Sequence, residues 1–79
     1  MKLYCLYPRV GDSVVLAYID AEKETVEKLV KEYNVKGISK AEEFVQEILP
    51  ALGIRTKYVV TIWGVFGYID GVDEYVEIE

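Results

Sequence analysis

Apolar positions along this chain recur at two different periods, and the changes of period mark out its elements. Residues 2–7 and 14–19 are mostly Leu, Val, Ile, Tyr and Cys, types that suit a pleated surface. Between them, Pro8 and Gly11 punctuate a turn, so the two runs predict a β-hairpin. The period then lengthens. Val26, Leu29, Val30 and Tyr33 are spaced i, i+3, i+4, i+7, the stripe of a helix over residues 21–33, with Asp20 as its N-cap. Glu24 with Lys28 and Glu27 with Lys31 set Glu four residues before Lys on the opposite face, a favourable order. Asn34 or Gly37 can adopt the left-handed conformation that ends such a helix.

A second helix is predicted from Ser39, where Ser39 and Glu42 have the S-x-x-E spacing of a capping box. Its stripe is Ala41, Phe44, Val45, Ile48, Leu49 and Leu52. Pro50 removes a backbone donor and should kink or end it near Leu49, with Gly53 as terminator. Twelve uncharged residues follow, YVVTIWGVFGYI over 58–69. A membrane helix needs about 20 apolar residues, and β-branched and aromatic types dominate, so the run reads as strand. Strict alternation would put Tyr58, Val60, Ile62, Phe66 and Tyr68 on one face and Val59, Thr61, Trp63, Val65 and Ile69 on the other. Both faces are apolar, and both call for cover. Gly64 and Gly67 mark a bulge, bend or turn, giving either one bent strand or two strands meeting near Gly64. Asp70-Gly71 is a turn signal, and residues 74–79 make a last strand with Val76 and Ile78 facing in.

The resulting order is ββααββ. It predicts a single α+β domain over residues 1–79, in two layers: an antiparallel four- to five-stranded sheet with both helices on one face. At 79 residues such a core is small, and small domains lean on disulfides, metals or oligomerisation. Cys5 is the only cysteine and there is no histidine, so an internal disulfide is impossible and a zinc site lacks ligands. Association remains as support.

Composition narrows the function classes. A net charge of −5 argues against nucleic-acid or anionic-membrane binding, which require a basic surface. The single cysteine fits a reducing compartment, and residues 1–12 lack a signal-peptide pattern, so a cytoplasmic location is expected. Cys5, Ser13 and Thr61 have no histidine to act as base, and no catalytic residues are assigned; a non-enzymatic protein is expected. The DGVDE run at residues 70–74 offers oxygen ligands, but its spacing is not that of a calcium loop, and its acidic side chains suit protection of an edge strand. Lys36 and Lys40 flank Ser39 without a phosphate-loop pattern. Neither a metal nor a cofactor is expected.

Six of the seven tyrosines fall in predicted strands, and with Trp63 and Phe66 they could form an aromatic sheet surface. Tyr58, Trp63, Phe66 and Tyr68 are the candidate interface residues, for a protein partner or for self-association as a homodimer. Two alternatives use the same elements: a nucleic-acid-binding regulator of winged-helix or sheet-platform type, or an acidic nucleic-acid mimic. The first is opposed by Glu42, Glu43, Gln46 and Glu47, which the second helix would turn toward DNA. The charged residues are mainly Glu and Lys, with one Asn, one Gln and one Cys, a composition typical of hyperthermophile proteins. The melting midpoint in a calorimetric scan is therefore expected above about 65 °C, the top of the mesophile range.

Overall fold

A computed structural model describes residues 1–11, 13–64 and 67–79. Strands β1 (Lys2–Pro8) and β2 (Val14–Ile19) form the expected hairpin, pairing from Lys2 with Ile19 to Leu6 with Val15. Helix α1 (Lys23–Glu32) follows, then α2 (Gly37–Glu43), a π turn over Phe44–Ile48 and the short α3 (Leu49–Ala51). Strands β3 (Thr56–Ile62) and β4 (Glu74–Ile78) complete a four-stranded sheet in the order β3-β2-β1-β4. The fold is α+β. The sheet is mixed rather than antiparallel, because β4 runs parallel to β1. The expected ββααββ order also changes in detail, since the second helix comes as three segments.

The helices cover one sheet face. Tyr4, Leu6, Val15, Ala17, Ile19, Val76 and Ile78 meet Val26, Val30, Val35, Ala41, Phe44, Val45 and Leu49 in one buried cluster. At about 25 cal/mol per Å² of apolar surface buried, this two-layer contact is the main favourable contribution to folding. Tyr4 has its ring in that core and donates from its hydroxyl to the Ala21 carbonyl at 2.6 Å.

Local signals were obeyed where nothing tertiary competed. Asn34 takes the left-handed conformation (φ 53°) after α1. Its N–H donates to the Lys31 carbonyl and that of Val35 to the Val30 carbonyl, which caps the helix and delivers Val35 into the core. Elsewhere the caps differ from expectation. α1 begins at Lys23 with no side-chain cap, and Asp20 instead holds Arg55 at 3.3 Å. Glu24–Lys28 and Glu27–Lys31 are not among the ion pairs formed by the described residues. α2 starts at Gly37, two residues before Ser39, and the Ser39–Glu42 capping box does not form. Glu42 turns to β3, where one carboxylate oxygen accepts from the Tyr58 and Thr61 hydroxyls, each at 3.0 Å.

Pro50 acts upstream of itself. A proline ring clashes with the carbonyl four residues back and offers no N–H. The chain answers by widening: Leu49 N–H donates to Phe44 O, five residues back, and the backbone stays helical through Leu49. In that wider pattern the Val45 carbonyl would face Pro50, which has nothing to donate. The Thr56 hydroxyl fills the gap, donating to Val45 O at 2.7 Å from the first residue of β3. Thr56→Val should leave this carbonyl without its partner and cost about 1–2 kcal/mol in urea unfolding, whereas Thr56→Ser should cost less than about 1 kcal/mol.

Candidate functional site

β3 and β4 lie at opposite edges of the sheet and run in the same direction, so the chain between them must pass over a face. The helices occupy one face, and residues 67–73 lie across the other. From Ile62, opposite Val14, to Glu74, opposite Tyr4, the gap is roughly 17 Å by strand spacing and rise. Eleven connecting residues (63–73) could reach about 40 Å, so the connection has slack and bends. Positive φ at Gly64 (75°), Gly67 (113°) and Gly71 (88°) accommodates the bends. No strand forms after Ile62 before Glu74 among the described residues. Among its described residues the 58–69 run is strand as far as Ile62 and, in the crossover to β4, has no strand structure at 63–64 or 67–69.

The crossover makes a second, smaller core. Val72 packs with Cys5, Val14 and Leu16, and Ile69 joins it together with Leu3, Tyr7, Ile62 and Tyr75. The Tyr75 hydroxyl receives the Ile69 N–H at 2.6 Å and donates to the Ile69 carbonyl at 2.8 Å, which fastens the crossover to β4. Asp73 secures the other end: its carboxylate accepts the Leu3 N–H at 2.9 Å, and its own N–H donates to Leu3 O. That carboxylate, part of the acidic DGVDE run, serves the backbone, and no group of three metal-ligating side chains occurs among the described residues.

A bulge in β3 breaks the simple alternation expected for this strand. The register shifts between Leu16 and Ala17, whose partners are Val60 and Tyr58, and Val59 is the extra residue. Tyr58 and Thr61 consequently share the helix-side face, joined to each other and to Glu42 by hydrogen bonds. Val60 and Ile62 face outward with Leu16 and Val14. Of the four candidate interface residues, Tyr58 lies on the helix-side face of β3, Trp63 just past the end of β3, and Tyr68 in the crossover against Tyr75. Trp63 is 72% exposed and Tyr68 79% exposed, and Phe66 lies outside the described residues. Tyr18 and Val60, which alternation and register place on the outer face, are partly exposed, as is Val59 at the bulge. Periodicity alone could not foresee this grouping, because a one-residue bulge reverses every later side chain.

Where the crossover meets the β1–β2 hairpin there is a cleft of about 360 Å³. Tyr7, Tyr68 and Tyr75 form its aromatic walls, Cys5 and Val14 are in its lining, and Arg9 is the sole charged residue among the described lining residues. Tyr7 meets Tyr75 edge-on at 6.1 Å between centroids, and Tyr68 lies tilted against Tyr75 at 5.1 Å. These are the favourable geometries for ring quadrupoles. Burial pushes the Cys5 thiol up to about 11, so it is uncharged at neutral pH. Burial likewise raises Tyr7, with the Glu77 carboxylate adding to the effect. Among the described residues, no helix is long and apolar enough to cross a membrane. Comparison with protein-family models, with curated proteins and with solved structures finds no match to this chain.

The Cys5 environment has a measurable consequence. A thiol with a raised folded-state pKa favours folding below its ordinary pKa, and that contribution fades as pH climbs from about 9 to about 11. Reaction of Cys5 with an aromatic disulfide at pH 8 should be at least about 100-fold slower in the folded protein than in urea. Stability measured by urea unfolding should fall across pH 9–11, and fall less in Cys5→Ala.

Proposed function

We propose that this chain is a non-enzymatic protein-interaction module that associates through the outer sheet face on the β3 side, with a second copy of itself as the simplest partner. The supporting observation is the exposure of Trp63 just past the end of β3, together with that of Val59 and Val60 within β3 and of Tyr18 in the neighbouring strand β2. Indole and phenol rings are the side chains that anchor protein interfaces. An apolar surface of this kind in so small a domain is otherwise an aggregation liability.

Charge favours the β3 side over the other edge. β4 carries Glu74 and Glu77 with Glu79 next to it, so two β4 edges brought together would oppose carboxylates. β3 carries a single charge, Lys57, near its start. An isologous pair centred near Val60 keeps the two Lys57 side chains apart and places the apolar residues against each other.

Sedimentation equilibrium tests this. At tens of micromolar the chain should weigh twice its 9.0 kDa. Trp63→Ala should weaken association about tenfold or more with little change in melting temperature, as expected for an exposed anchor. A 9.0 kDa species throughout, with Trp63 fully open to acrylamide quenching, would overturn the proposal.

A further inference from the structure

We propose that the tyrosine-walled cleft between the β1–β2 hairpin and the crossover is a binding site for a small planar aromatic acid. The cleft is distinct from the association surface proposed above: its rings, Tyr7, Tyr68 and Tyr75, lie on the β1–β4 side of the sheet, away from β3. Its 360 Å³ falls within the range of small-molecule pockets. Three features select the ligand class. The walls are rings held in place: Tyr75 is tied by both of its hydrogen bonds to Ile69, and Tyr7 and Tyr68 pack on Tyr75. A flat aromatic ligand offers these rings the edge-on and tilted contacts they already make with one another.

Among the described residues the interior carries no charge: it is lined by Val14 and by the neutral thiol of Cys5. A charged group on the ligand must then sit at the mouth. Arg9 is exposed, belongs to the lining, and has a planar guanidinium suited to two-point contact with a carboxylate. It is held in position by its backbone, whose N–H donates to the Ile78 carbonyl at 2.7 Å. Glu77 stands beside Tyr7 but outside the lining. An anionic aromatic thus satisfies walls and mouth together, whereas an aromatic cation would meet Arg9.

Amide-resolved NMR titration with 1-naphthoate tests the site, with the neutral 1-naphthalenemethanol as comparison. Naphthoate should saturate with a dissociation constant on the order of 0.3 mM, as its small size allows, and should shift the amides of Tyr7, Arg9, Gly11 and Tyr75. Arg9→Gln should weaken naphthoate about five- to tenfold and the neutral alcohol less than about twofold. Trp63→Ala, which removes the association anchor, should change naphthoate binding less than about twofold, so loss of dimerisation and loss of ligand binding are separable. The proposal is overturned by non-saturating shifts, by shifts confined to other surfaces, or by equal weakening of both probes in Arg9→Gln.

Discussion

The parallel pairing of β4 with β1 is the constraint on which the outer half of this molecule depends. β3 already occupies the far edge beside β2, and both edge strands run the same way. A tight hairpin between them is geometrically impossible, and the helices have already filled one face. The connection therefore has to cross the other face. In crossing, it turns a solvent-facing sheet surface into a second core around Cys5, Val14, Leu16 and Val72. It also leaves Val59 and Val60 of β3 partly exposed and encloses a cleft at the hairpin end. Both proposed functions are situated where that covering stops.

The two layers are stabilised in different ways. The helix side is a continuous apolar cluster, with polar contacts confined to its boundary: Tyr4 to Ala21, Thr56 to Val45, and Glu42 to Tyr58 and Thr61. Each satisfies a backbone or carboxylate oxygen that the fold would otherwise strand. The crossover side has fewer buried residues and depends more on specific attachments at Tyr75 and Asp73. Apolar burial gives cohesion without direction. The hydrogen bonds at Tyr75 and Asp73 give the crossover its direction and fix its position above the sheet.

Much of the fold was legible because it follows from short-range chemistry. The hairpin strands, the helix stripe at Val26 and Val30, the left-handed stop at Asn34 and the inward Val76 and Ile78 all appear as expected. The errors share a cause, which is competition from distant residues. Asp20 looked like a helix cap but pairs with Arg55, and Glu42 looked like half of a capping box but bonds to β3. For each carboxylate the local backbone amide and the remote donor are alternatives, and the difference between them is set by packing rather than spacing. Of the residues that the sequence offers as an interface, Trp63 and Tyr68 are exposed past the end of β3, while the bulge at Val59 sets Tyr58 on the helix side.

The uncharged run at residues 58–69 shows where sequence stops and tertiary structure begins. Its composition determined that it would be apolar, that it would begin as strand, and that Gly64 and Gly67 would break it. Its alternation also required cover on two sides. Whether that cover came from a partner or from the chain itself depended on the direction and position of β4. Strand direction is fixed by pairing between residues some seventy positions apart, such as Leu3 and Asp73, and no local pattern encodes it. Period, caps and turns are properties of neighbouring residues and can be recognised along the chain. Strand order, register after a bulge, and the choice of partner for a carboxylate are decided only when the layers pack.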